Sequence, residues 1–298
     1  MQSSSLYNST GDRFVRLCIV LFLAVCLVVV AYPLIYVLSS SFSSPHAVSS
    51  GSVWLLPVDW TLAGYEAVFK NKQIVNGFIN SFFYMFCGTA LNLVMTVLAA
   101  YPLTRKQFKI RNTVMLFFVI TMFFSGGLIP YYLLIKDLGM IDTRWVMIIP
   151  SALSVWNIIL VRTYMNHSIP DDLYEAASID GCGDFKYLLS IVLPLSKPVL
   201  AVIGLYVAVG FWNSYFNALI FLKSSELQPL QLVLRNILIL NVIDPTMIKD
   251  FDVLMRRQGM SDVIKYAVIV VASAPVLVLY PFVQKYFVQG VMIGAIKG

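Results

Sequence analysis

HSIPDDLYEAASIDGCGDFKYLLSIVLP, running from His167 to Pro194, is a polar stretch set between two long apolar runs. Ser168 and Pro170 are helix-start signals, and Asp171 and Asp172 supply the negative charge that the first turn of a helix favours. Gly181 stands where a helix of about ten residues would end, at the position after the cap that glycine takes without steric cost. Ala176 and Ala177 leave one side of that helix thin, so a second protein surface can approach closely. A second short helix, Asp184–Leu193, then runs into Pro194. These signals predict a small helical hairpin outside the apolar runs. By themselves they do not say what docks there.

Outward from this stretch, six windows contain no Asp, Glu, Lys or Arg. They hold apolar spans at about Leu17–Leu38, Phe78–Leu103, Thr113–Ile135, Trp145–Val161, Val199–Leu222 and Tyr266–Gln284. A bilayer core about 30 Å thick needs roughly 20 apolar residues in a helix, because only a helix or a closed barrel satisfies its backbone there. The runs are far longer than strands and show no alternation. The fold class predicted is an all-α integral membrane protein with six transmembrane helices. Arg13 and Arg16 precede the first span and Ser39–Ser41 follow it, as around a signal peptide, but its apolar stretch is too long for one. The expectation is an uncleaved first span.

Of the 298 residues, 59% are hydrophobic and only 12% charged, which excludes an ordinary soluble domain. The net charge of +6 does not indicate nucleic acid, because no Lys/Arg stripe with interleaved aromatics lies on a polar segment. Cys18, Cys26, Cys87 and Cys182 show no CxxC or Cys/His spacing, and His46 and His167 stand apart, so neither a metal site nor a disulfide framework is expected.

Orientation follows from cations. The connection Arg105-Lys106-Gln107-Phe108-Lys109-Ile110-Arg111 has four cations and no acid, and it should be cytoplasmic. Arg13 and Arg16 agree, placing the N-terminus inside. Lys223, Arg235, Lys249, Arg256 and Arg257, in the connection this topology puts outside, disagree mildly. The larger external stretches are then Ser39–Gly77 and Lys223–Lys265. Trp54, Pro57, Trp60 and Tyr65 in the first can pack at the membrane interface or meet a soluble partner.

Glu175-Ala176-Ala177, three residues ending in Asp180, Gly181, nine residues, then Ile191-x-Leu193-Pro194 resembles the EAA motif of ABC importer permeases at every position. The resemblance implies a type I importer permease fold with both termini inside. It implies that residues 166–198 form the coupling loop, seated in a cleft of an ATPase subunit through Glu175, Ala176, Ala177, Asp180, Gly181, Ile191, Leu193 and Pro194. It divides the chain into an N-terminal segment, 1–76, a transport core, 77–289, and a cytoplasmic tail, 290–298.

Further segments resemble the maltose-permease-like branch that imports carbohydrates. They are Ser43-Ser44-Pro45 with Leu56-Pro57, Gly64 to Phe69, Asn80-Ser81, the stretch Gly210 to Leu219, and the tail from Gln284 to Gly298. The tail and the Trp-Asn segment are most similar to permeases for oligosaccharides, including acidic, alginate-type fragments. The implied partners are a second homologous permease, two ATPase subunits carrying ATP and Mg, an extracytoplasmic solute-binding protein and the carbohydrate itself. No cofactor is expected on this chain.

Rival functions fit the residues less well. A secondary transporter places charged groups inside the membrane, and no expected span contains Asp, Glu, Lys or Arg. A channel needs charge rings or filter carbonyls, and no filter-like repeat appears. An enzyme needs a nucleophile, base or metal cluster. The absence of a Walker A loop means that the chain cannot hydrolyse ATP itself. Within the spans, Asn92, Ser154, Asn157, Asn213, Ser214 and Asn217 can hydrogen-bond a sugar, with Trp156, Trp212 and Tyr215 stacking on its ring. They can equally bond neighbouring helices. The substrate path expected here is Asn157, Trp212, Asn213, Tyr215 and Asn217, with Asn213 and Asn217 one turn apart on one helix face. Gly126-Gly127 and Pro130 are read as a close-packing site or a kink.

Overall fold

A computed structural model describes residues 10–240, 259–278 and Pro281. Every regular element among the described residues is helical. The chain forms two compact units, Met1–Asn71 with Ile237–Ser273 and Lys72–Asn236 with Ala274–Gly298.

In the first unit, α1 (Thr10–Ser41) is apolar on every face from Leu17 to Leu38, and none of its most hydrophobic window is buried. A helix apolar all round, with its backbone bonds made internally, is what lipid accepts. α1 stops where the sequence turns to serine. Ser39 Oγ donates to the Leu55 carbonyl at 2.6 Å, and Ser41 Oγ lies 2.8 Å from the Tyr65 hydroxyl. α2 (Pro45–Ser49) starts with the Ser44 side chain accepting from the Ala47 amide at 3.2 Å, a standard N-cap. α3 (Ala63–Lys70) follows, and α15 (Gly259–Val278) brings Val263 against Ala47, Val48 and Val53 in a small apolar core. Trp60 stacks on Phe42 at 5.4 Å, while Trp54 stays 68% exposed.

The second unit is built on α4 (Lys72–Thr104), which packs against most of its helices. α5 (Arg111–Phe123) and α6 (Leu128–Asp137) meet at 113°. The third expected span is therefore two helices. Phe124 to Gly127 is not helical, and Gly127 sits at φ +82°, a conformation that ends a right-handed helix. α7 (Trp145–Ile148), with a short 3-10 turn to Ser151, joins α8 (Val155–Ser168) at 46°. α8 runs past the expected limit at Val161 and carries Arg162, whose Nε donates to the Leu103 carbonyl near the end of α4 at 3.1 Å. α9 (Asp171–Ile179) and α10 (Asp184–Tyr187) form the hairpin. A π turn, Leu188–Val192, and α11 (Leu193–Leu195) then lead through a 78° bend at Ser196 into α12 (Lys197–Trp212).

The fifth expected span is also broken. α12 ends at Trp212 and α13 (Phe216–Phe221) begins after three intervening residues. After it, residues 223–229 form a strap leading to α14 (Leu230–Arg235). Asn80 Nδ2 donates to the carbonyls of Glu226 at 2.7 Å and Gln228 at 3.1 Å. The Tyr84 hydroxyl donates to Leu227 O at 2.7 Å, and Ser81 Oγ accepts from Leu230 N at 2.9 Å. The Asn80-Ser81 pair thus holds the strap by its backbone. Among the described residues, length and composition allow three single crossings, or up to six when each bent pair counts as one. The sixth expected span extends beyond Val278, and the Gln284–Gly298 tail lies outside the described residues.

Candidate functional site

The hairpin is local chemistry first. Pro170 occupies the N-cap with extended backbone, and Asp171 and Asp172 fill the first turn of α9. Ser168, expected as a start signal, instead closes α8. Asp171 Oδ2 lies 2.6 Å from Lys106 Nζ. That hydrogen bond and its charge hold the Asp171 carboxyl below its ordinary value and push the Lys106 ammonium above its own.

At the other end of α9, Gly181 has φ +72°. The Gly181 amide donates to Ser178 O at 3.1 Å and the Cys182 amide to Ala177 O at 2.9 Å. These two bonds are the Schellman pair that satisfies the last carbonyls of a helix. A Cβ on Gly181 would meet nothing within 4 Å, so the demand for glycine is conformational and not steric. Asp180 is the exposed C-cap.

The two alanines part company. Ala177 is buried against Tyr187 and Leu188, whereas Ala176 is exposed beside exposed Glu175. The thin side expected at both positions is therefore presented by Ala176 alone, because Ala177 is spent seating α9 on α10. Ile191 and Leu193 pack on the same core and Pro194 is exposed. The π turn lies just ahead of Pro194, which has no N–H to give an α-helical ladder. Ile179, 87% exposed, and Phe185, 68% exposed, stand out from the hairpin as bare apolar side chains.

Along the same chain the second unit opens a cleft of about 390 Å³. α4 contributes Asn92, and the break between α7 and α8 contributes Ser151 and Ser154. α8 adds Trp156 and Asn157, and α12 adds Tyr206, Gly210 and Phe211, with Ser214 just past its end. Its lining residues carry no charge. Irregular backbone at membrane depth is tolerated where it lines such a cavity. Here Asn92 Nδ2 satisfies the Ser151 carbonyl at 2.9 Å, and Asn157 Nδ2 donates to Asn92 Oδ1 at 3.2 Å. Asn157 is thus both a cleft residue and an interhelical tie. Trp156, 55% exposed, and Tyr206, 73% exposed, offer ring faces.

Of the five residues expected on the path, only Asn157 lines this cleft. Trp212 is buried against Phe78 and Phe82 of α4. Asn213 caps α12, Tyr215 caps α13 and Asn217 lies in the first turn of α13. The expected shared helix face of Asn213 and Asn217 does not exist, because the helix breaks between them. Tyr206, Gly210 and Ser214 recur every fourth residue along α12 and just past its end. That spacing is the sequence signal for the face that does open.

The family model described as binding-protein-dependent transport system inner membrane component matches residues 92–293. The chain is 37% identical to the Bacillus subtilis protein LplC, over 99% of this chain and 98% of that one. It is also 37% identical to the polygalacturonan/rhamnogalacturonan transport system permease protein YtcP of Bacillus subtilis, over 98% of this chain and 99% of the relative. A solved bacterial ABC transporter involved in the import of the acidic polysaccharide alginate contains a chain that superposes with a TM-score of 0.88. Identity there is 34%, covering 95% of this chain and 100% of that one.

Proposed function

The chain belongs to the family of binding-protein-dependent transport system inner membrane components, and on that premise we propose how it works as the permease of a carbohydrate ABC importer. It pairs with a second, similar permease in the bacterial cytoplasmic membrane. Two ATPase subunits, which carry the ATP and Mg, dock on the cytoplasmic side, and a solute-binding protein delivers the sugar from outside. Each bent helix pair counts as one crossing, giving six, with both termini inside. Residues 77–289 are the transport core, and the chain itself binds no cofactor.

The carrying observation is continuity. The hairpin that ends at α10 runs through α11 and one bend at Ser196 into α12, the helix that supplies Tyr206, Gly210 and Phe211 to the cleft. Movement imposed on the hairpin is therefore applied to a wall of the cleft. The exposed face of Glu175, Ala176, Ile179 and Phe185 is where the ATPase seats. Asp180, Gly181, Ile191, Leu193 and Pro194 shape and aim that face.

Amides, hydroxyls and two ring faces suit a polyhydroxylated solute that must bind and be released. The substrate is an oligosaccharide, and the names of the relatives point to uronate-bearing ones. With no cation among the cleft-lining residues, a uronate carboxylate is met on the partner permease. The test is uptake of labelled oligogalacturonates, alginate oligomers and maltodextrins in cells with and without this chain. Loss of one of the acidic oligomers alone is expected. Uptake that persists when the ATPase subunits are deleted would point to a secondary transporter or an ion-independent channel instead.

A further inference from the structure

The hairpin meets α4 at a cation that sequence reading used only to set orientation. Arg105 directly follows α4. Its guanidinium carbon lies 5.2 Å from the ring centroid of Tyr101 on α4, 5.0 Å from Tyr174 on α9 and 5.4 Å from Tyr187 on α10. The three rings thus come from three different helices. Tyr174 and Tyr187 meet edge-on at 5.1 Å, and Tyr187 is fully buried. The Tyr174 hydroxyl donates to Asp184 Oδ1 at 2.9 Å and the Tyr101 hydroxyl to Asp184 O at 3.2 Å, which ties the cage to the start of α10. Arg105 Nε donates to Thr104 Oγ1 at 3.2 Å. Among the described residues no ion pair includes Arg105.

We propose that Arg105 is the positioning residue of the coupling step, a swivel on which the α9–α10 hairpin turns against α4. The inference rests on reading the hairpin as the ATPase seat. A guanidinium paired with a carboxylate is held in one plane by two directed hydrogen bonds. A guanidinium among ring faces is held by their quadrupoles and can tilt without breaking a bond. The Arg105 contacts therefore hold the hairpin without fixing its angle, and the directed bonds that any turning must stretch are the Tyr101 hydroxyl to Asp184 O and Lys106 to Asp171. α4 passes the motion on: Asn92, in the cleft, lies twelve residues before Thr104, roughly 18 Å along the helix.

The test uses the assembled importer in lipid nanodiscs, with hydrogen exchange followed over residues 171–187 and over the cleft segment 151–157. Measurements are made with and without a non-hydrolysable ATP analogue. Arg105→Gln should speed exchange across the hairpin about tenfold, the equivalent of about 1.4 kcal/mol, the scale of a desolvated cation–π contact. It should also abolish the nucleotide response at 151–157 while the ATPase subunits still co-purify. Arg105→Lys, which keeps the cation, should restore that response. Tyr174→Phe, which keeps the ring and loses only the exposed hydroxyl's bond to Asp184, should keep the nucleotide response at 151–157, and Tyr174→Leu should lose it as Arg105→Gln does. The tyrosine pair decides the matter if Arg105→Gln does not assemble. An unchanged cleft response in Arg105→Gln, or identical behaviour of Tyr174→Phe and Tyr174→Leu, would overturn the swivel. If the unaltered complex shows no nucleotide effect on the hairpin, the ATPase seat is wrong, and the nucleotide-free exchange rates still decide whether Arg105 holds the hairpin.

Discussion

The indole of Trp212 meets the ring of Phe82 edge-on, with centroids 5.1 Å apart, and is 1% exposed. This side chain is a packing anchor between α12 and α4. Trp212→Ala should open a cavity costing about 3–5 kcal/mol and lower the yield of folded permease. Transport per folded complex should be little changed, as measured by uptake normalised to purified yield.

The cleft rings should behave in the opposite way. Trp156→Ala and Tyr206→Ala remove exposed ring faces, so each should reduce uptake with yield unchanged. Asn213→Ala combined with Asn217→Ala lies at the break between α12 and α13, outside the cleft, and should lower yield and uptake in parallel. Uptake that falls while yield holds in the double variant would return these amides to the substrate path.

Glu175 is exposed on α9, so reversing its charge should change stability by no more than about 0.5 kcal/mol. Glu175→Lys should leave the complex intact and let ATP hydrolysis continue without uptake. The ratio of phosphate released to sugar imported is the measurement, and a normal ratio counts against the docking face.

Gly181 needs its left-handed backbone and has open space around it. Gly181→Val should cost about 1–2 kcal/mol and misaim the hairpin, lowering ATPase retention in detergent pull-downs about tenfold. Gly181→Asn, which tolerates this conformation, should lose much less, and Ser178→Ala almost nothing. Equal retention of Val and Asn variants would show that the cap does not set the angle.

Asp142 fastens the strap from below. Its Oδ1 accepts the amides of Lys223 at 2.9 Å and Ser224 at 2.8 Å, and its Oδ2 accepts the Ser224 hydroxyl at 2.6 Å. These bonds, the Ser224 hydroxyl first, hold the carboxyl below its ordinary value. A depressed carboxylate stabilises the folded strap above the unfolded value of about 3.9 and loses that contribution as pH falls toward the folded value. Exchange of the Lys223 and Ser224 amides should therefore be flat from neutral pH down to about 4, after correction for intrinsic rates, and rise below it. Asp142→Asn keeps a residue that tolerates φ +58° and should raise exchange already at neutral pH.

The sequence by itself determined the features that need only local rules. Long charge-free runs require helices in lipid, and Asp171, Asp172 and Gly181 mark the ends of α9 by charge and backbone freedom. Tertiary structure alone decided which faces those helices present. α12 is apolar nearly all round, and in a membrane both lipid and protein interior are apolar, so only the sparse Tyr206, Gly210, Ser214 spacing marks the inward side. That is why Trp212 reads as a candidate ligand and is packing, whereas Tyr206, which no motif singles out, lines the cleft. The break at Gly127 was signalled by Gly126-Gly127 as a kink, whereas those at 152–154 and at 213–215 were hidden for a related reason. An apolar run looks continuous in sequence, and at 152–154 it is a side chain of α4, Asn92, that takes up the Ser151 carbonyl beside the break.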